Sequence, residues 1–356
     1  MKNPAPGSST LECSLRRAWL LVALSVLLPI AEAASDRQSG AFEPDFDDAP
    51  RLREVEEPAW FETSFLDLRD DLQVATGAHR KRGLVVYFHQ EDCAYCQALI
   101  ETNFGSEDIR RYTQRYFDVV SIDIWGSREV VDPQGVVLTE RDYAVREQTN
   151  FTPSLIFYDA DGNQALRLRG YYPPYRFRAA LEYVADVHYR QESFPDYLAR
   201  ADPAPKFELG DLNEQDFFTA PPFVLDRSRQ PAETPLVVFF EQRDCHACDI
   251  LHTRAVDDPQ TLALLDQLEA VQLDVGSETP VITPTGGRTS AADWAAELGL
   301  FYAPTLVFFD ERGDEIMRID SVVRLYRLRR VLRFVLEKGY LEDATYQLWR
   351  RRQRNR

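Results

Sequence analysis

The sequence predicts an α/β protein in which two similar domains lie in tandem, each with a central mixed β-sheet flanked by helices. The chain has 356 residues, enough for two hydrophobic cores of ordinary size. Its second half repeats the pattern of its first half. Within each half the order is strand, helix, strand, followed by two strands and a helix. This order is typical of a mixed sheet with helices on both faces.

The repeat is visible in two blocks of sequence. Residues 85–96 are similar to residues 237–248, and residues 151–159 are similar to residues 302–310. From the first cysteine to the proline of the later block there are 60 residues in one copy, from 93 to 153, and 59 in the other, from 245 to 304. Two matched blocks at nearly the same spacing indicate a duplication.

Each copy contains a short run of β-branched and aromatic residues, at 84–88 and 236–240, which predicts a strand buried on both faces. Turn residues predict two hairpins per copy, around 132–135 and 161–163 in the first, and around 284–287 and 312–314 in the second. The helices predicted for the first copy cover 60–77, 94–104, 107–116, 141–148 and 174–189, and those for the second cover 246–255, 259–268, 291–298 and 323–338. A further strand is predicted at 119–124 and at 270–275.

These elements divide the chain into six parts. They are a signal peptide (1–33), a flexible acidic segment (34–58), a first domain (59–190), a Pro-rich linker (191–233), a second domain (234–340) and a basic C-terminal tail (341–356). The signal peptide is predicted from a positive start, an apolar run and the small residues of Ala31-Glu32-Ala33. An uncleaved membrane anchor is disfavoured because the apolar run, residues 18–30, is shorter than the ~20 apolar residues needed to span a bilayer. In the linker, Phe217, Phe218 and Phe223 are expected to pack on a domain.

The cysteines indicate redox chemistry. Cys13 lies in the predicted signal peptide, and the other four form two Cys-x-x-Cys pairs, Cys93/Cys96 and Cys245/Cys248. Such a bridge closes too short a loop to stabilise a domain, so we interpret the pairs as chemical sites. The first cysteine of each pair begins a predicted helix, whose free N–H groups favour a thiolate. Cys93 and Cys245 are therefore the predicted nucleophiles, and Cys96 and Cys248 the resolving thiols.

The net charge limits the classes of molecule that the chain can bind. At a formal charge of −17, the chain would repel phosphate backbones, which argues against nucleic acid as a partner. The exception is the Arg-rich end at 349–356. It could dock on an anionic surface or an acidic partner, although a solvated cationic helix end is the simpler interpretation.

The order of strand, Cys-x-x-Cys, helix and distal X-Pro resembles the thioredoxin superfamily over nearly all of the mature chain. The first copy is similar to the SoxW-type periplasmic thioredoxins of bacterial sulfur oxidation. The residues that carry this likeness are Phe88-His89-Gln90, Cys93-Ala94-Tyr95-Cys96, Asp123-Ile124-Trp125-Gly126 and Thr152-Pro153. The resemblance implies redox-active disulfides with no further cofactor and no metal.

The resemblance also implies cis peptide bonds before Pro153 and Pro304, facing the sulfurs. Thr152 and Ala303, which precede these prolines, would then bind an incoming chain as an added strand. The thioredoxin family keeps a buried acid on the strand before the cysteines, but this chain has aromatic residues there. Glu91 and Glu241 are the alternatives for that role.

Four residues beside the cysteines are candidates for tuning the thiol pKa. Asp92 and Asp244 stand where thioredoxins have Trp, and a carboxylate there would raise the pKa of the nucleophile unless it points to solvent. Tyr95 and His246 lie between the cysteines. An imidazolium at His246 would stabilise a thiolate, so the second site is predicted to be the more oxidising.

Other classes of protein remain as alternatives. Four cysteines could form one zinc site, but the distance between the pairs and the complete frame around each argue against it. His89 and His252 could support copper, although a lone His is more often structural. A non-catalytic binding module is disfavoured because all four cysteines are present.

We therefore expect a periplasmic thiol-disulfide oxidoreductase, either a reductase or an electron relay, with disulfide oxidase or isomerase as the alternative. Its expected partners are protein thiols and disulfides, among them sulfur-carrier or cytochrome-maturation proteins. A reductase in an oxidising compartment also needs electrons from elsewhere, so a separate membrane electron donor is expected.

Overall fold

The computed structural model describes residues 45–50, 53, 55–201 and 211–355. The predicted signal peptide, with Cys13, lies outside these residues. None of the helices in the described ranges is long and apolar enough to cross a membrane.

The first copy is built on a mixed sheet. Its strands are β1 (Gly83–His89), β2 (Phe117–Asp123), β3 (Glu129–Val131), β4 (Val137–Thr139), β5 (Ser154–Asp159) and β6 (Gln164–Arg169). Its helices are α1 (Leu68–Gln73), α2 (Ala94–Ala98), α3 (Glu107–Tyr116), α4 (Glu140–Arg146), α5 (Pro174–Ala185) and α6 (Phe194–Ala201). The sheet has the order β2-β1-β5-β6, in which only β1 and β2 are parallel, and β3 pairs with β4 in a separate hairpin.

The second copy repeats this architecture. Its strands are β7 (Phe223–Val224), β8 (Leu236–Glu241), β9 (Glu269–Asp274), β10 (Pro280–Ile282), β11 (Arg288–Ser290), β12 (Thr305–Phe309) and β13 (Glu315–Ile319). Its helices are α7 (His246–Leu251), α8 (Pro259–Leu265), α9 (Ala291–Glu297), α10 (Leu325–Leu336) and α11 (Tyr346–Arg354). The sheet order β13-β12-β8-β9 matches that of the first copy, and β7 joins the β10–β11 hairpin. The predicted fold class of two mixed sheets flanked by helices is confirmed.

The central strand β1 is buried on both faces, as its apolar run predicts. Val86 and Phe88 face the core that contains Tyr143 of α4, whereas Val85 lies in the core that contains Phe177 of α5. Alternate residues of a strand point to opposite faces, so one short strand fills two cores. This burial holds the end of β1, and the cysteines that follow it, in a fixed position.

The leading helix begins later than predicted. It was expected over 60–77 but starts at Leu68, because the side chain of Asp67 accepts the backbone N–H groups of Arg69 and Asp70 and so caps the helix there. The aromatic residues before it take another role. Trp60 packs edge-on against Phe104, with 5.3 Å between ring centroids, and extends the first core.

Each copy ends with a helix that lies beyond the predicted domain boundary. α6 follows α5 after a turn at His188–Arg190, and α11 follows α10 after a turn at Gly339–Leu341. The predicted linker 191–233 therefore contains α6, and its later part supplies β7 to the second copy. Phe218 packs on Phe239 as expected, with ring centroids 5.2 Å apart.

The predicted basic tail 341–356 contains α11. Tyr346 and Trp349 lie one turn apart on this helix and belong to the core of the second copy, where both contact Phe334. The interpretation of this end as a solvated tail is therefore wrong for its aromatic face. Aromatic residues three positions apart indicate a buried helix face, but the neighbouring arginines make the segment look like an exposed tail.

The segment predicted to be flexible, 34–58, includes an ordered part. Phe46 packs edge-on against Tyr95, with ring centroids 4.9 Å apart. The Asp48 carboxylate accepts the backbone N–H groups of Tyr326 and Arg327 at 3.0 and 2.8 Å. The prediction of a flexible segment is therefore wrong for residues 45–50. Asp48 caps the first turn of α10 and contacts both copies.

Each copy packs against the loop that precedes the proline of the other copy. From the first copy, the ring of Phe194 on α6 lies 5.1 Å from the ring of Phe301. From the second copy, the ring of Tyr346 on α11 lies 5.5 Å from the ring of Phe151. The two terminal helices thus make the same contact in opposite directions, as two subunits do across a two-fold axis.

The loops between the last strand and the long helix of each copy also meet. The N–H of Val322 donates to the carbonyl of Tyr171 at 3.0 Å. Gly170 has φ +106°, and a Cβ built on it would lie 2.1 Å from the hydroxyl oxygen of Ser321. Both the backbone conformation and the lack of space require glycine here.

Asp320 lies next to Ser321 in this contact and is 7% exposed. Burial raises the pKa of its carboxyl to about 6, against the opposing effect of the Arg169 and Arg318 cations. The unfolded carboxyl titrates near ~3.9, so the folded protein binds this proton more tightly than the unfolded chain does. Stability from this group is full below about pH 4 and is lost as the pH rises through about 6.

We expect Asp320→Asn to gain stability relative to the unmodified protein as the pH rises from about 4 to about 7.5, by at most about 3 kcal/mol. The amide stays neutral and so escapes the cost of burying a charge. Guanidinium unfolding at both pH values measures the gain. Asp314→Asn removes an exposed carboxylate at the other end of β13 and should give no such gain. The same pH dependence in Asp320→Asn and the unmodified protein would contradict the assignment.

Candidate functional site

Each cysteine pair lies where a central strand ends and a helix begins. Cys93 caps α2 and Cys245 caps α7, and both pairs are bonded as disulfides. The Cys93 sulfur accepts the N–H of Cys96 at 3.0 Å, and the Cys245 sulfur accepts the N–H of Cys248 at 3.1 Å. The first cysteines are 5% and 7% exposed, and the second cysteines are fully buried. A donor at the first sulfur and burial of the second suit a nucleophile and a resolving thiol.

The two proline loops face the first cysteines. The Thr152–Pro153 and Ala303–Pro304 peptide bonds are cis. In the first copy the hydroxyl oxygen of Thr152 lies 3.3 Å from the Cys93 sulfur, and in the second the carbonyl oxygen of Ala303 lies 3.7 Å from the Cys245 sulfur. A hydroxyl can donate a hydrogen bond to a sulfur, whereas a carbonyl cannot. The two sulfurs therefore have chemically different neighbours.

A chain of hydrogen bonds orients the hydroxyl of Thr152. Trp125 Nε1 donates to Gln90 Oε1 at 3.1 Å, and Gln90 Nε2 donates to Thr152 Oγ1 at 2.6 Å. Because the amide supplies the proton of the second bond, the hydroxyl proton of Thr152 is left to point at Cys93. In the sequence these residues are recognisable only through the family likeness. Nothing in their spacing links Gln90 to Thr152.

The aspartates before the cysteines occupy positions with a left-handed backbone conformation. Asp92 has φ +56° and Asp244 has φ +52°, the left-handed region that Asp tolerates better than most residues. Asp92 accepts the N–H of Arg53 at 3.0 Å, and its other oxygen lies 3.8 Å from Arg354. Asp244 is exposed. Both carboxylates thus interact with other groups or with solvent, which weakens the predicted repulsion of a thiolate.

Tyr95 joins the first site to its surroundings. Its hydroxyl donates to Asp48 at 2.9 Å and accepts the N–H of Arg324 at 2.9 Å. Burial, reinforced by the charge of Asp48, raises the pKa of Tyr95 well above its usual value, so the phenol stays neutral. His246 is exposed at the start of α7, and its effect on the thiol stays a prediction.

A buried Glu–His pair flanks the second cysteine pair in sequence. Glu241 at the end of β8 is fully buried, and His252 is 2% exposed. Glu241 Oε1 lies 2.8 Å from His252 Nε2, and Glu241 Oε2 accepts a hydrogen bond from Gln272 at 2.9 Å. His252 follows Cys248 by four residues, which places both on one face of the helix. The sequence offers one sign of this pairing, which is a Glu at the end of an otherwise apolar strand, but nothing local links Glu241 to His252.

His89, at the position equivalent to Glu241, lies 3.1 Å from the carboxylate of Glu57. Both histidines considered for copper therefore have carboxylate partners. Elsewhere, Glu62, His79 and Asp118 bring potential ligand atoms within 4.8 Å of one another. This cluster contains no cysteine, and the ammonium group of Lys81 already bonds Asp118.

A cleft of about 330 Å³ separates the turn before Cys93 from α11. Arg350, Arg351 and Arg354 line the α11 side, and the guanidinium of Arg351 lies 4.5 Å from the centre of the Trp125 ring. Burial lowers the pKa of Arg350, and the neighbouring arginines lower it further. The Arg-rich end therefore contacts the first copy beside its cysteines.

We expect Thr152→Ala to raise the pKa of the Cys93 thiol by about one unit, because a hydrogen bond to a thiolate contributes about 1 kcal/mol or more. The pH dependence of alkylation, in a variant that lacks the second cysteine pair, measures this pKa. Ala303→Thr is the matched change in the other copy and should leave Cys93 unaffected. An unchanged pKa in Thr152→Ala would mean that the hydroxyl does not reach the thiolate.

We expect Glu241→Ala to lower the free energy of unfolding by about 3 kcal/mol, because it leaves the buried His252 without its carboxylate partner and removes one acceptor of the half-buried Gln272. Chemical denaturation measures the loss. Glu91→Ala removes an exposed carboxylate from the equivalent loop and should change stability by no more than about 0.5 kcal/mol. Equal effects of the two substitutions would show that the buried pair contributes nothing particular.

Comparison with known protein families agrees with the fold. The family model of the thioredoxin-like domain matches residues 68–185 and 225–336, together well over half of the chain. A thioredoxin-fold protein from Helicobacter pylori is 22% identical, over 33% of this chain and 78% of that chain, with a TM-score of 0.30. A thioredoxin from Thermus thermophilus is 25% identical, over 32% and 82%, with a TM-score of 0.25.

The reduced C-terminal domain of DsbD from Neisseria meningitidis is 16% identical, over 32% of this chain and 91% of that chain, with a TM-score of 0.24. No curated protein sequence matches the chain. The likeness to SoxW-type thioredoxins stays a prediction. The two matched regions coincide with the two sheets and carry one cysteine pair each. The chain therefore belongs to the thioredoxin-like domain family and contains that domain twice.

Proposed function

We propose that this protein is an exported thiol-disulfide oxidoreductase that uses both cysteine pairs, as a reductase or electron relay for protein disulfides. One observation carries the proposal. Each copy holds a cysteine sulfur at a helix N-terminus, with a cis-proline loop beside it and a second, buried cysteine bonded to it. These are the parts that exchange between a dithiol and a disulfide needs.

The reaction begins from the reduced pair. The Cys93 thiolate attacks one sulfur of a substrate disulfide, which forms a mixed disulfide and releases the first substrate thiolate. The thiolate of Cys96 then attacks the Cys93 sulfur, which closes the Cys93–Cys96 bond and releases the second substrate thiolate. The substrate gains two electrons, and both of its sulfurs take up protons. Cys245 and Cys248 act in the same way, and an external dithiol donor restores each pair.

The direction in the cell depends on partners. In the periplasm a reductase needs a separate membrane electron donor, and sulfur-carrier or cytochrome-maturation proteins are the proposed substrates. The oxidase direction is the second candidate for the first copy. A hydrogen bond donated by the Thr152 hydroxyl favours the Cys93 thiolate and hence the reduced pair. It makes the first disulfide a stronger oxidant and so opposes the predicted order of the two potentials.

We expect each single-site variant, Cys93→Ser/Cys96→Ser and Cys245→Ser/Cys248→Ser, to keep activity in the exchange of a small disulfide with dithiothreitol. The variant with all four substitutions should lose it by about 100-fold or more, because no thiolate remains to attack. The measurement is the rate of thiol release from hydroxyethyl disulfide. If the fourfold variant retained the full rate, the chemistry would lie elsewhere and the proposal would be refuted.

A further inference from the structure

Arg327, from the second copy, fills the groove beside the first cysteine pair. Its Nη2 donates to the backbone carbonyl of Thr152 at 2.9 Å. Its guanidinium carbon lies 3.3 Å from the centre of the Tyr95 ring and 4.9 Å from that of the Phe151 ring. The residue is 7% exposed. A planar cation is thus enclosed between the cysteine helix and the proline loop.

The carbonyl that Arg327 occupies belongs to the residue before the cis proline. An extended polypeptide that adds to this loop as a strand needs the backbone N–H and C=O groups of that residue as its partners. With the Thr152 carbonyl bonded and the space over Tyr95 filled, a substrate chain that pairs at this edge must displace Arg327. The hydroxyl of Thr152 is also engaged, because it accepts from Gln90.

The second site differs at the same positions. Arg176 is the third residue of α5, as Arg327 is the third residue of α10, but its guanidinium lies over Tyr175, 5.3 Å from the ring centre. Among the described residues no N–H group donates to the carbonyl of Ala303, whose contact is the Cys245 sulfur at 3.7 Å. Ala247 stands where the first site has Tyr95, so the second site lacks the ring against which a guanidinium packs in the first.

Access to the sulfurs does not differ in this way. Cys93 is 5% exposed and Cys245 is 7% exposed, so a small molecule meets nearly the same opening at both. The two sites therefore differ in the groove that would bind a chain, and not in the exposure of the nucleophile.

We propose that Arg327 sets the substrate class of the first site: it excludes extended protein chains there and leaves the Cys93–Cys96 pair to small thiols and disulfides, while the second pair serves proteins. This inference rests on the proposed function and restricts its protein substrates to the second pair. In the small-molecule reaction, the reduced pair attacks a disulfide of low mass, releases two thiols and becomes the Cys93–Cys96 disulfide. A small dithiol reduces the pair again. Arg327 acts by occupying the groove and takes no part in the bonds that change.

The test compares two substrates in single-site variants. With Cys245→Ser/Cys248→Ser and dithiothreitol, the first site should reduce hydroxyethyl disulfide within about threefold of the rate of the second site, but insulin about tenfold more slowly or worse. Adding Arg327→Ala should raise the insulin rate about tenfold and leave the small disulfide within about twofold. Arg176→Ala in the same background is the matched control and should change neither rate.

A second measurement needs no substitution at Arg327. In the reduced protein with the second pair replaced by serine, Cys93 should react with N-ethylmaleimide but slowly with a maleimide on a long poly(ethylene glycol) chain. With the first pair replaced, Cys245 should react readily with both. Equal labelling of the two cysteines by the long reagent would overturn the inference, and so would equal insulin rates at the two sites. Insulin reduction that stays slow in a folded Arg327→Ala variant would overturn it too.

The proposed function fails in a different way. If neither single-site variant exchanged with hydroxyethyl disulfide, there would be no oxidoreductase, and the inference would fall with it. If both exchanged but did not differ with insulin, the function would stand and the role of Arg327 would be refuted.

Discussion

The reciprocal contact between the two copies is the constraint on which the rest of the structure depends. The N–H of Val322 bonds the carbonyl of Tyr171, and Gly170 gives Ser321 the space to approach. This contact brings α10 and α11 against the proline loop of the first copy, and α6 against that of the second. The surroundings of each proline loop are therefore partly supplied by the opposite half of the chain.

Some buried polar atoms at this contact lack a hydrogen-bond partner among the described residues. Ser321 Oγ and Arg327 Nη1 are buried without such a partner among the described residues. Each such atom costs about 1–3 kcal/mol relative to its hydrated state. The apolar and aromatic contacts favour the closed arrangement, while these polar atoms favour separation.

Much of the fold followed from the sequence. The apolar strands, the hairpin turns and the spacing from cysteine to proline are local or repeated signals, and each marks its own element. The terminal helices were missed because proline residues around α6 and arginine residues on α11 hid the aromatic residues that bury them. The ordered part of the acidic segment was missed because Asp48 is held by the first turn of α10, far away in sequence.

The same division applies to the site. The cysteines and prolines are recognisable because their chemistry requires those residue types at that spacing. Gln90, Arg327 and the pairing of Glu241 with His252 depend on contacts between distant parts of the chain, and no local pattern encodes them. The sequence shows differences between the copies at the residue before the proline and between the cysteines. The larger difference is the side chain that the opposite copy places beside each cysteine pair.

Joining both halves in one chain has a consequence for how they can diverge. In a homodimer with the same reciprocal contact, every substitution appears at both sites, and symmetry is kept. Here Thr152 and Ala303, or Arg327 and Arg176, can vary separately because each is encoded once. Covalent duplication thus converts a symmetric interface into one where a residue can close one groove and leave its counterpart open.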